Sequence, residues 1–209
     1  MPFRVQVFQE NVARRAGSAL QDELAQACDA YASLTTPQQK ARCIRSIMDR
    51  LDREMDEETR WAIMEACGRR CIGASTLREA RRLQQEAQDL DDLLRRLNQA
   101  RIGGGHLQRE GWVIHAAYDR CYCGSVSKTR EPFSATYCHC SCGWYQQLFE
   151  TLLDAPVEVE LLGSIIQGDE RCQFLIHIPE SDSSVGSPRA ERVERFIRED
   201  VEWGLRGDD

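Results

Sequence analysis

The chain has 209 residues, 42% of them hydrophobic and 29% charged, enough for one full domain or a core domain with a helical extension. Its 34 acidic residues outnumber 27 basic ones, for a net charge of -7, and such a surface repels phosphate backbones, so no nucleic-acid partner is expected. No apolar run approaches the length of a membrane span, and Met1-Pro2-Phe3-Arg4-Val5 has no apolar signal core. The expected setting is therefore cytoplasmic, with no membrane partner and with thiols kept reduced.

The first hundred residues read as helical. Thr35-Thr36-Pro37 is a helix start, with a hydroxyl cap and proline in the first turn. Asp56 caps the next helix, which carries Trp61, Met64, Cys67 and Cys71. Thr76 and Glu79 read as a capping box for a third helix. Behind it Leu77, Ala80, Leu83, Ala87, Leu90, Leu94 and Leu97 recur at helical spacing, so this helix is expected to run to Ala100. Its apolar stripe faces the core or a second copy of the chain, so a homodimer through the 76–100 helix is one expectation. Gly103-Gly104-Gly105 ends the helical region and reads as a hinge; no Gly-Lys-Ser/Thr follows, so it is not a phosphate-binding loop.

From Gly111 the pattern changes. Trp112 to Tyr118 is strand-like, with Cys121 and Cys123 continuing it or lying in the turn beyond. Gly143 to Leu153 suggests a short helix. Pro156 to Leu161 alternates apolar and charged residues as a half-buried strand does. Gly168-Asp169 reads as a hairpin turn, and Cys172 to Ile178 as the returning strand. Ser181 to Pro188 is a polar linker, and Arg189 to Trp203 a charged terminal helix. The expected organisation is a helical region at 1–102, a cysteine-rich module at 103–180, and a linker with a C-terminal helix at 181–209. The fold class is α+β: helices first, then a mostly antiparallel sheet with a packed helix.

Ten cysteines in a reducing compartment call for a chemical reason. Cys67 and Cys71 lie four apart on a helix, which puts both sulfurs on one face. Cys121 and Cys123 would share one side of a strand. Cys138, His139, Cys140 and Cys142 gather three thiols and an imidazole within five residues, and Cys172 sits on the last strand. Zinc takes four such ligands in a tetrahedron, while an iron–sulfur cluster or copper(I) also suits soft thiolates. The candidate metal ligands are Cys67, Cys71, Cys123, Cys138, Cys140, Cys142 and Cys172, with Cys121 beside them. Cys28 and Cys43, isolated on separate helical segments, read as small buried hydrophobes.

The run from Cys138 through Gly143-Trp144 and Pro156-Val157 to Gly168-Asp169-Glu170-Arg171-Cys172-Gln173-Phe174 resembles the 4-vinyl-reductase-type small-molecule-binding domain, a superfamily that includes phenol-sensing regulator domains. It is also similar to 2-amino-thiazoline-4-carboxylate hydrolase-like proteins. With Ala66-Cys67-Gly68 ahead of that module, the whole chain looks like an uncharacterised bacterial family that shares it. In phenol-sensing members zinc is held by a cysteine before the helix, a glutamate and a cysteine on the following strand, and a cysteine after the last turn. Cys138 falls on the first of these positions and Cys172 on the last, but Leu161 and Ser164 occupy the middle two. Either Cys123 with one of Cys140 or Cys142 fills the gap, or the helical pair Cys67 and Cys71 does.

The resemblance also implies a ligand pocket, for which His106, Trp112, His115, Tyr118, Tyr137 and Trp144 are the candidate lining residues. His115, on an apolar strand, reads first as a core histidine. The function expected is zinc binding with small-molecule binding. One alternative is a metal- or cysteine-dependent hydrolase of a small carboxylated substrate, with Glu160 or His139 assisting and Arg120, Arg130 or Arg171 on the carboxylate. A redox or iron–sulfur protein is the other.

Overall fold

The computed structural model describes residues 4–124, 126–127 and 133–180. The expected C-terminal linker and helix, and Arg130, lie outside the described residues. Six helices come first: α1 (Val5–Arg15), α2 (Ser18–Ser33), α3 (Pro37–Glu54), α4 (Glu57–Arg69), α5 (Ala74–Glu86) and α6 (Leu90–Gln99). Strands β1 (Gln108–Glu110) and β2 (Val113–Tyr118), helix α7 (His139–Leu153), and strands β3 (Glu158–Gly163) and β4 (Cys172–His177) follow. The sheet is antiparallel throughout, in the order β1-β2-β4-β3. The α+β reading therefore holds, including the helical first half and the helix packed on the sheet. No helix among the described residues is long and apolar enough to cross a membrane.

Two helix starts are formed as the sequence expects. Thr36 accepts from the Gln39 N–H while the Gln39 side chain reaches back to the Thr36 N–H, with Pro37 in the first turn. The Asp56 carboxylate accepts from the Thr59 N–H and hydroxyl. The third expectation needs correction. The helix begins at Ala74 behind Gly73, so Thr76 and Glu79 lie inside it rather than forming its cap. Nor does it run unbroken to Ala100. Ala87 is extended, and the Asp89 carboxylate caps a new helix by accepting from the Asp92 N–H. The stripe of Ala80, Leu83, Leu93, Leu94 and Leu97 is buried in the chain's own core.

The Gly143–Leu153 helix starts four residues earlier than expected, at His139. The β3–β4 connection is also longer than a tight hairpin. A 3₁₀ turn at Ile165–Gln167 ends on Gly168, whose φ of 110° is a conformation open to glycine.

Two hydrophobic cores meet at the contact between α4 and α7. One lies between α5, α6, α7 and the inner face of the sheet, around Tyr145, Phe149, Phe174 and Ile114. The other joins α1 to α4, around Phe8, Ile44, Met48 and Met64, with Phe133, Tyr137, Cys138 and Ile166 from the second half of the chain. Helices α4 and α7 cross at backbone contact. A Cβ on Gly68 would stand 1.9 Å from the Cys140 carbonyl oxygen, and one on Gly143 would stand 1.9 Å from that of Glu65. Beside the crossing, Arg69 and Glu150 form a two-pronged, largely buried ion pair. The crossing brings the first turn of α7 against the cysteine-bearing end of α4.

Candidate functional site: a cavity edged by thiols

A cavity of about 360 Å³ opens where α4, the segment before α7, the loop after β2 and the start of β4 meet. Seven of the ten cysteines line it: Cys67 from α4 and Cys71 from the turn after it, Cys121 and Cys123 from the loop after β2, Cys138 and Cys140 from the start of α7, and Cys172 from β4. The sheet register explains the last meeting. Tyr118, the final residue of β2, pairs with Cys172, so the chain leaving β2 delivers Cys121 and Cys123 beside β4. All ten cysteines are free thiols.

The thiols are strung along the wall. The Cys121, Cys123 and Cys140 thiols lie near enough to perturb one another's titration, and the Tyr137 hydroxyl stands beside Cys123. On the other side Cys138 and the Ser164 hydroxyl are 2.8 Å apart, and Cys172 lies within reach of the same hydroxyl and 3.5 Å from the Ile165 N–H. Ser164 thus stands between the two cysteines that match the resemblance. Among the described residues, no three histidine, cysteine, aspartate or glutamate side chains already converge into a set able to hold a metal ion.

Electrostatics favour the protonated form of Cys67, Cys121, Cys123, Cys138, Cys140 and Cys172. Burial pushes up the Cys67, Cys138 and Cys172 thiols. The Cys121 thiol is pushed up first by the neighbouring Cys123 thiol and then by burial. For Cys123 and Cys140 one neighbouring thiol (Cys121 and Cys123 respectively) pulls the other way, but burial and the other adjacent thiols outweigh it. A wall of neutral thiols is inert as a nucleophile, and it becomes a set of thiolates only where a cation compensates the lost proton.

Of the expected pocket residues, Tyr118, Tyr137 and Trp144 line the cavity. Tyr118 stacks on the Tyr145 ring, and the Tyr145 hydroxyl donates to the Gly103 carbonyl at 3.0 Å. Gly104 approaches β2 so closely that a Cβ there would stand 2.2 Å from the Ala117 carbonyl oxygen. The triple glycine is therefore a close-packed seam at the cavity's edge. The other three expected residues lie elsewhere. His106 is exposed and pairs with Asp119. Trp112 is exposed in the β1–β2 turn. His115 projects from the outer face of β2 towards Glu110, because the inward positions of that strand are Ile114 and Ala116.

Cys142 does not line the cavity. It is fully buried among the residues of the sheet-side core, and burial together with the Glu65 carboxylate holds its thiol well above the usual range. His139 is buried too, stacked on Trp61 at 4.1 Å between centroids, with Nδ1 3.5 Å from Glu65. Glu160 pairs with His177 at 2.9 Å. Of the three expected carboxylate-binding arginines, Arg120 lies over the Tyr122 ring and Arg171 pairs with Asp119; neither lines the cavity. Two charged lining residues, Arg4 and Arg101, were not among the expected site residues. The left-handed backbone of Arg101, φ 56°, has no signal in sequence beyond the glycines that follow it.

No curated protein matches the chain. Among solved structures it is similar to the phenol-responsive sensory domain of the transcription activator PoxR with phenol, at 14% identity and a TM-score of 0.40, over 99% of this chain and 98% of that one. A family model matches residues 3–183, and by that match the chain belongs to the family of unknown function DUF6144.

Proposed function

We propose that this protein binds a small, mostly apolar molecule in the thiol-edged cavity, and that part of its cysteine wall takes a soft metal ion, zinc in the first instance. One observation carries the reading. Seven cysteines from four separate segments line a single cavity whose remaining wall is largely apolar and aromatic. Its volume of about 360 Å³ lies at the lower end of the usual range for small-molecule sites.

The donor set fits a soft ion in chemistry: buried and half-buried sulfurs on one wall, with no carboxylate among its described residues. Cys138 and Cys172 would supply the two ligands that the 4-vinyl-reductase-type reading requires. Cys121, Cys123 and Cys140, on the same wall, would be the source of the others. Bound there, the ion would hold thiolates and tie the loop after β2 to α7 and β4. The hydrolase reading draws less support, since no histidine, aspartate or glutamate among the described residues lines the cavity to activate a water.

Elemental analysis of anaerobically purified protein tests the metal half, with wild type beside Cys138→Ser, Cys172→Ser and Cys123→Ser. Zinc that is lost in the variants supports the site. Iron with sulfide would replace zinc by the cluster reading, and no metal in any sample would refute thiolate ligation. For the ligand half, the metal-loaded chain should be thermally stabilised by 2-naphthol, a probe of aromatic pockets. An unchanged melting temperature would count against the cavity as a binding site.

A further inference from the structure

The wall of the cavity is unevenly charged. Among the described residues, its ionisable side chains apart from thiols and phenols are Arg4 and Arg101, with no carboxylate to oppose them. That is unexpected in a chain of net charge -7, where many other arginines meet acids. Arg60, Arg69, Arg82, Arg96, Arg109 and Arg171 all sit against aspartate or glutamate. Among the described residues, the guanidiniums of Arg4 and Arg101 have no hydrogen-bond or ion-pair partner.

The two come from distant segments, Arg4 just before α1 and Arg101 just after α6. Both are exposed, whereas Tyr137 and Trp144 of the same wall are buried, so the charges mark the mouth and the rings the interior. Arg101 is held there at a cost. It is one of two non-glycine residues with a left-handed backbone among those described, the other being Asp154. The following glycines pin it: Tyr145 holds the Gly103 carbonyl, and Gly104 lies against Ala117 and the Tyr118 ring. A strained residue fixed by the cavity's own aromatic wall, carrying an unpaired fork of donors, is arranged for an oxyanion.

We infer that the cavity's ligand is a small amphipathic carboxylate. Its apolar body lies against Tyr118, Tyr137 and Trp144, and its carboxylate is received at the mouth by Arg4 and Arg101. This rests on the small-molecule reading above and adds the ligand's charge to it. Each exposed arginine contributes modestly, so the pair should favour the anion by up to about tenfold over a neutral molecule of the same shape.

The test is isothermal titration of the full chain at neutral pH with 2-naphthoate and with 2-naphthol, in low and high salt. The expected result is tighter binding of the carboxylate by about tenfold, shrinking as salt rises. In the Arg4→Gln/Arg101→Gln variant the preference should vanish while naphthol affinity stays unchanged, which also shows that the cavity is intact. Equal affinities in the wild-type chain would overturn the inference and leave the cavity reading standing. A carboxylate preference surviving in the variant would overturn the assignment to these arginines. Binding of neither probe would overturn both readings.

Discussion

Replacing Gly143 by alanine puts two well-known effects in opposition. Glycine inside a helix is unfavourable, so alanine at an unobstructed position in α7 would stabilise the helix by about 1 kcal/mol. Gly143 is not unobstructed. The added carbon would stand 1.9 Å from the Glu65 carbonyl oxygen and 2.7 Å from the Glu65 Cα, whereas ordinary contact begins at 3.4 Å. The deficit is about 1.5 Å, and both sides are helical backbone that no side-chain rotation can relieve. The crossing must open or α4 must shift, which loosens the packing of the whole α4–α7 contact. Overpacking typically costs about 1–3 kcal/mol, and an obstacle of backbone on backbone belongs at or above that upper end. A net loss of about 2–4 kcal/mol is expected, read as a lower urea midpoint at unchanged slope. Gly68→Ala, whose carbon would meet the Cys140 carbonyl oxygen at 1.9 Å, should behave alike and should also displace the cavity wall. Gly17→Ala, with nothing within 4 Å, is the control and should shift the midpoint little. A Gly143→Ala variant as stable as the wild type, or more so, would refute the backbone-contact argument.

Two other perturbations test separate parts of the fold. The side chains of Arg69 and Glu150 are 11% and 10% exposed, so Glu150→Gln should cost about 3–5 kcal/mol by leaving a buried guanidinium uncompensated. Arg69→Met/Glu150→Leu should recover most of that in a denaturation cycle, and a double variant no better than the single would refute the desolvation account. Burial, with smaller contributions from Cys43 and Asp29, pushes the Cys28 thiol from its ordinary 9.0 up to about 12. The folded chain then holds a proton that the unfolded chain releases above pH 9, so this group's contribution is intact below 9 and falls away between 9 and about 12. Cys28→Ala should flatten that alkaline decline in unfolding free energy, and an unaltered slope would assign the decline to other groups.

Local rules were enough for much of this architecture. A hydroxyl three residues before Gln39, with proline between them, makes the start of α3 a local event, and Asp56 before Thr59 does the same for α4. Alternation along Glu158–Gly163 and Cys172–His177 marked two strands without any knowledge of their neighbours. The break at Ala87–Asp89 was less legible, because apolar spacing carried through it while an aspartate cap interrupted the backbone. Composition likewise singled out the cysteines as a group, seven of which line one cavity.

Which thiols meet was decided by tertiary structure. Cys140 and Cys142 are neighbours in sequence, but two residues along a helix is more than half a turn, so one faces the cavity and the other the sheet-side core. Cys67, Cys123 and Cys172 are far apart along the chain, and they share a wall because Gly68 and Gly143 let α4 and α7 touch and because Tyr118 pairs with Cys172. The same holds for Arg4 and Arg101, whose convergence on one cavity depends on the packing of α1 and on the glycine seam after α6. Residue types and local periods are written in the sequence, whereas the distance between remote side chains depends on how helices and strands close upon one another.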